Sequence, residues 1–340
     1  EVGAQPYQLV DPSLEAPLGF VDLSGVDDPR QAALDWMRDD RSRPVDVLRD
    51  RLIAATVLRI GEHRYFWYNR VHHLALDGFA AATFMTRIAE LYTAAVEGVE
   101  PSPNRASDLH KVYDVEMEYR GSKRFLDDRE YWARQIDGIE EPTSLSGRTA
   151  APAPVSRIDT AALSEETERR VDELAEREGA SLATAVVAAF AAYLAQMTGR
   201  TDVVLSLPVA ARTTAVLRRS GSMVSNVVPL RLSVTDETTV RDLIAASGAA
   251  VSGALRHQRY RHEDIVRDRD AGSAGQATFF GPWVNIMLFD NEVRLGDMVG
   301  GINILSPGLI EDLGVNVYRS GGAHTHIDFE SNPNLFRSEQ

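Results

Sequence analysis

The chain has 340 residues, 44% of them hydrophobic, which suffices for a sizeable core and suits two lobes better than one. Its 36 basic and 50 acidic residues give a net charge of −14, so no basic excess exists to neutralise phosphates, and a nucleic-acid partner is excluded. The absence of cysteine removes disulfides, thiol nucleophiles and thiolate metal sites, and no apolar run approaches the roughly 18 to 20 residues of a membrane span.

The opening stretch EVGAQPYQLVDPSLE lacks the charged and apolar regions of a signal peptide, so the expectation is a cytoplasmic protein with no membrane partner. Residues 29–39 predict a helix opened by Pro29. RLIAATVLRI (51–60) and RYFWYNRV (64–71) predict a hairpin turning through Gly61, Glu62 and His63. The hairpin leads directly into RVHHLALDGF (70–79), after which Ala81, Phe84, Met85, Ile88 and Tyr92 recur at helical spacing. Residues 107–135 predict a further helical region, and 137–157, with three prolines and two glycines, a linker.

The second half opens on a polar helix capped by Ser164 and stopped by Gly179. From a second cap at Ser181 follows LATAVVAAFAAYLAQM, apolar nearly all round and therefore expected to be a buried helix. Strands are expected at 201–209 and 225–234, a helix at 238–256, and late strands in WVNIMLFD and LGVNVYR. Helices and strands mixed throughout both halves point to an α/β fold.

The segment HHLALDG carries the strongest chemical signal. If the strand persists to its end, period-two alternation puts His73 on one face and His72 on the other, so one imidazole can be structural while the other meets a substrate. An imidazole suits proton transfer near neutrality. Asp77 could hold an arginine or fix the turn, and Gly78 permits close backbone approach. Two histidines that merely close a hairpin are the bland alternative, against which the full seven-residue pattern in strand–turn–helix context weighs. Asn226 is a candidate for lining a cleft or for capping a strand bulge. Trp283 is a candidate core or channel-wall aromatic, and His257 and Tyr260 read as a packed helix end. AHTHIDF places His324 and His326 on one strand face, but no third ligand follows, so no metal site is expected.

HHLALDG resembles the His-His-x-x-x-Asp-Gly signature of nonribosomal peptide synthetase condensation domains, within the chloramphenicol acetyltransferase-like superfamily. REYWARQI, GSMVSNVVPLRL, HQRYRHEDIV and FFGPWVNIMLFD resemble further family segments in the same order, so the likeness spans about residues 5–336. It implies two chloramphenicol acetyltransferase-like lobes in a V shape with the active site in the cleft: an N-terminal lobe at 1–145, a linker at 146–157 and a C-terminal lobe at 158–340. The implied reaction joins an upstream carrier-bound acyl or peptidyl thioester to the amino group of a downstream carrier-bound aminoacyl thioester. By the same resemblance His73 and Gly78 are catalytic, while His72 and Asp77 are structural. No cofactor is expected on the chain itself, since 4'-phosphopantetheine arrives on the donor and acceptor peptidyl carrier proteins, and an adenylation domain is the expected neighbour.

The chain departs from the pattern in one respect. The family's upstream His-x-x-x-Arg motif is absent, so the arginine that pairs with the motif aspartate is expected to be missing and the partner of Asp77 stays open. The sequence therefore reads as a segment of a condensation domain within a multimodular synthetase, with a low-specificity likeness to siderophore synthetases of the enterobactin and fuscachelin type. A freestanding CoA- or thioester-dependent acyltransferase shares the histidines but not the late segments together. An epimerase-type relative departs from the Asp-Gly ending, a heterocyclising one lacks the histidines, and a noncatalytic carrier-docking module remains the rival of a different class.

Overall fold

The computed structural model describes residues 17–139, 141–153, 155–270, 280–287, 292–306, 308, 310–319 and 325–337. His324 lies outside these residues. The chain divides into two compact units, residues 1–76 and 77–340.

The first unit contains β1 (Gly19–Asp22), α1 (Pro29–Arg41), β2 (Ile53–Gly61) and β3 (Arg64–Val71). β1 runs parallel to β2, which pairs antiparallel with β3. Asp28 starts α1 by accepting the Gln31 amide at 3.0 Å, and Pro29 fills the first helical position, where a missing N–H costs nothing. The helix packs on the hairpin, with Trp36 edge-on to Tyr68 at 5.7 Å. Its buried Asp40 accepts from the Tyr68 hydroxyl at 3.1 Å and from Arg70 Nε at 2.9 Å. Burial first, and the Asp40 charge second, push the Tyr68 hydroxyl up to about 12.

The strand expected to reach His73 stops at Val71. The His72 amide still donates to the Leu52 carbonyl at 2.7 Å, but the Ala75 amide returns to the His72 carbonyl at 2.9 Å and turns the chain. Period-two alternation therefore does not extend to the two histidines.

The second unit begins with α2 (Gly78–Glu97), α3 (Leu109–Arg120) and α4 (Lys123–Ile136). The helical region expected at 107–135 is two helices, because the chain breaks at Gly121 and Ser122 restarts it by accepting the Phe125 amide at 3.3 Å. Then follow β4 (Arg157–Ala162), α5 (Glu165–Arg177), α6 (Leu182–Thr198), β5 (Asp202–Val209), α7 (Ala215–Arg218), β6 (Asn226–Ser233), α8 (Val240–Arg256) and α9 (His262–Asp270). β7 (Trp283–Met287), β8 (Glu292–Leu295), β9 (Met298–Gly301), β10 (Leu313–Tyr318) and β11 (His326–Ser331) complete it. The expected caps Ser164 and Ser181 accept from Thr167 and Thr184, and Gly179 stops α5 in the left-handed region at φ 63°.

The main sheet is six-stranded and mixed, in the order β4-β11-β10-β7-β5-β6, while β8 and β9 form a separate hairpin. Val284, Val315 and Val317 send one face of it into a core shared with Trp132, Val187, Leu194 and Leu230. Gly314 and Asn316 alternate onto the other face. α6 buries Val187, Ala191 and Leu194, but Tyr193 and Met197 stay exposed, so the all-round burial expected of it holds for one face only. Among the described residues no single helix is long and apolar enough to cross a membrane.

Asp312, at the start of β10, is 2% exposed, and burial pushes its carboxyl up to about 6. A carboxyl raised above its unfolded value of about 3.9 contributes stability that is full below that value and is lost as pH rises through the folded pKa. Asp312→Asn should therefore raise the thermal midpoint by a few degrees at pH 8 and give no gain at pH 4. A gain equal at both pH values would rule out ionisation of this group as the cause.

Candidate functional site

His72, His73 and Leu76 close the first unit, and Asp77 and Gly78 open the second. His72 Nδ1 accepts the Leu74 amide at 3.1 Å, which places that ring's proton on Nε2 in the neutral form and commits the side chain to shaping the turn. The His73 imidazole is exposed and makes no hydrogen bond or ion pair among the described residues.

Asp77 is the N-cap of α2 and is 2% exposed. Its Oδ1 accepts the Ala80 amide at 2.8 Å and Arg212 Nη2 at 2.9 Å. Its Oδ2 accepts Arg212 Nη1, the Val224 amide and the Ser225 amide, each at 2.8 Å. Burial alone would raise this carboxyl, but the Arg212 guanidinium and the backbone amides outweigh it and hold it below the usual carboxylate range. Five donors on two oxygens leave Asp77 nothing with which to take a proton.

Arg212 is held as closely. Its Nη1 donates to the Ala210 carbonyl at 3.2 Å, its Nη2 to the Ser222 carbonyl at 3.1 Å, and its guanidinium lies 4.5 Å from the Phe79 ring centroid. The preceding Ala211 has φ 51°, a conformation costing a residue with a Cβ about 1 to 3 kcal/mol, and its amide donates to Gln258 Oε1 at 2.9 Å. Arg261 Nη1 donates to the carbonyls of Val224 and Ser225, whose amides grip Asp77.

Asn226 is 6% exposed and spends its amide on backbone. Nδ2 donates to the Gln258 carbonyl at 2.9 Å and the Tyr260 carbonyl at 2.7 Å, while Oδ1 accepts the His262 amide at 2.9 Å. His257 Nδ1 meets Asp128 Oδ1 at 2.6 Å, its ring stacks on Tyr131 at 3.9 Å, and its carbonyl accepts Trp132 Nε1. Tyr260 donates to Asp268 at 2.6 Å. These residues form the end of α8 and its turn into α9.

At the start of α2 an added Cβ on Gly78 would meet nothing within 4 Å, so the space above it is open. Its amide lies in the first helical turn, where no intrahelical acceptor exists.

Comparison with known proteins decides what this arrangement belongs to. The model of the condensation domain matches residues 1–300. This chain belongs to the condensation-domain family. An isonitrile lipopeptide synthase of Streptomyces coeruleorubidus is 39% identical over 98% of the chain and 23% of its own length. A dimodular nonribosomal peptide synthase of Bacillus subtilis (strain 168) is 32% identical over 97% of the chain and 14% of its own length. The chain thus spans less than a quarter of these relatives. The first condensation domain of the calcium-dependent antibiotic synthetase superposes with TM-score 0.82 at 34% identity, over 95% of this chain and 74% of that one. The starter condensation domain of rhizomide synthetase, as a mutant bound to C8-CoA and Leu-SNAC, gives 0.87 at 30%, over 96% and 73%. Condensation domains of nonribosomal peptide synthetases catalyse amide-bond formation, an acyltransferase-type reaction.

One expectation is corrected. The arginine that pairs with the motif aspartate is present in this chain as Arg212, from the loop after β5 rather than from a segment upstream. Sequence reading also overlooked Gln258 and Arg261, which brace that loop. Trp283, the other residue singled out by sequence, lies on β7 half-buried, with its indole nitrogen over Gly314.

Removing one partner of a buried ion pair costs about 3 to 5 kcal/mol. Because the Asp77 carboxyl is depressed, its contribution is present above about pH 4 and is lost as pH falls through the folded value. Asp77→Asn should lower the urea midpoint strongly at pH 7, with the gap to wild type closing towards pH 3. Equal destabilisation at both pH values would show that shape, not charge, holds this loop.

Proposed function

We propose that the chain forms an amide bond between two carrier-borne substrates. The amino group of a downstream carrier-bound aminoacyl thioester attacks the carbonyl of an upstream acyl or peptidyl thioester. A C–N bond forms, the C–S bond breaks, and the upstream carrier's thiol leaves with the proton lost by the amine. The thioester is already activated, so the protein must position both chains and handle one proton, and proximity alone is worth several kcal/mol.

In this reading His73 orients or deprotonates the amine, and the Gly78 amide donates to the developing oxyanion. His72 shapes the turn, and the Asp77–Arg212 pair fixes the start of α2. The observation that carries it is the contrast within one motif: the aspartate is wholly committed to five donors, while the His73 imidazole stays exposed and unbonded among the described residues. The partners are the donor and acceptor carrier proteins, whose 4'-phosphopantetheine arms bring the thioesters, and an adjacent adenylation domain. Residues 1–145 and 158–340 serve as the two lobes, with 146–157 between them, and the compartment is the cytoplasm. Enterobactin synthase component F of Escherichia coli (strain K12), 29% identical over 92% of the chain and 24% of its own length, supports a siderophore as the product class.

Intact-protein mass spectrometry of the full-length protein carrying this chain, mixed with donor-loaded and acceptor-loaded carriers, tests the proposal. The donor mass should move onto the acceptor, and His73→Ala should slow this by about 10²-fold or more, the usual worth of a general base. Transfer undiminished in the variant would remove His73 from the chemistry, and carrier binding without any transfer would make the chain a docking module.

A further inference from the structure

The main sheet carries a polar row on the face opposite its core. Register places Trp283 on β7, Gly314 on β10 and Glu330 on β11 side by side, and Asn285, Asn316 and Asp328 side by side one step further on. Glu330 is 1% exposed and Asn316 2%, yet Glu330 Oε2, Asn316 Nδ2 and Trp283 Nε1 are all buried without a well-formed hydrogen bond among the described residues. Asn285 Nδ2 donates to Asn316 Oδ1 at 3.1 Å, which fixes the amide with its NH2 group beside Glu330 and at least one N–H unspent. A Cβ on Gly314 would fall 1.4 Å from Trp283 Nε1, so the indole nitrogen occupies the place of the absent side chain, between its own strand and Glu330.

Buried polar groups in folded proteins are overwhelmingly paired, so three orphans in one row require a cause. Burial pushes the Glu330 carboxyl up to about 7, with the neighbouring Asn316 amide pulling it down and the Asp328 charge adding to the rise. The chemistry of the row is specific: one acceptor beside two N–H donors. Two donors oppose a bound cation, and a carboxylate opposes a bound anion. A neutral group that both donates and accepts satisfies all three, and half-buried Trp283 and Asn285 give the row an edge towards solvent.

We propose that Glu330, Asn316 and Trp283 form a subsite for an amide group of a bound ligand, Glu330 accepting its N–H and the indole and side-chain amide donating to its carbonyl. The source of that amide rests on the reading above: the pantetheine arm of a carrier or the peptide bond of a growing chain, both of which present this chemistry.

Binding is measured without any transfer step, on the 340-residue chain labelled with 15N at its four tryptophans. The Trp283 indole resonance is assigned by Trp283→Phe. Pantetheine, N-acetyl-alanyl-alanine methylamide and an alkyl thioester without amides are titrated separately. A saturable shift confined to the Trp283 resonance with pantetheine supports the subsite and assigns the carrier arm, and with the dipeptide alone it assigns the peptidyl chain. Glu330→Leu should weaken that binding about tenfold, the worth of a hydrogen bond to a charged group, and Glu330→Gln should largely retain it. The other three indole resonances report whether each variant folds, and Asn316→Ala replaces any that does not. Absence of a saturable shift with both amide probes, or an equal shift with the amide-free thioester, overturns the proposal. Binding intact in a chain that transfers nothing would sink the condensation reading and leave this subsite standing.

Discussion

The buried bidentate pair between Asp77 and Arg212 is the constraint on which the surrounding structure depends. Two charges taken out of water recover little net stability compared with well-packed apolar residues, whereas one of them left alone is severely destabilising. Such a pair serves to fix position. Here it ties the first residue before α2 to the loop after β5, and the amides of Val224 and Ser225 to both. The strained Ala211 persists because Gln258 holds its amide. Gln258 is placed in turn by Asn226, whose amide grips the 258–262 backbone. Segments scattered along the sequence thus form one polar network whose output is the angle at which α2 begins.

In the proposed reaction that angle matters because little else is asked of the chain. Aminolysis of a thioester needs no further activation, so the largest contribution open to the protein is to hold two reactants together. In the proposed function a single histidine, His73, supplies what remains. His72 cannot share the task while its Nδ1 accepts the Leu74 amide, and Asp77 cannot share it while both oxygens are saturated.

Much of this was legible in the sequence because it is written in local chemistry. Pro29, Ser164, Ser181 and Gly179 mark helix ends through caps and a left-handed turn, and apolar residues rich in β-branched and aromatic types mark β2 and β3. The break between α3 and α4 was also written locally, in Gly121 and Ser122, but the apolar spacing on either side concealed it. The motif residues stood out by spacing alone. Arg212 did not, because an ion partner 135 residues away leaves no periodic trace near itself. The end of β3 was set by an imidazole bonding to the backbone two residues on, a competition that propensity does not register. The polar row of Trp283, Asn316 and Glu330 became visible only with strand register, since β10 separates β7 from β11 in space but follows one and precedes the other in sequence.

The same network sets an order of events during folding. Asp77 leaves the ribosome before its partners, since Arg212, Val224 and Ser225 follow 135 to 148 residues later. Until those residues emerge, the carboxylate has only the local amide of Ala80. Contacts of such long sequence separation form late, after the loop-closure entropy has been overcome. The start of α2 therefore acquires its final geometry only with assembly of the β5–β6 region. A nascent chain stalled before residue 212 carries the entire seven-residue signature and none of its long-range support.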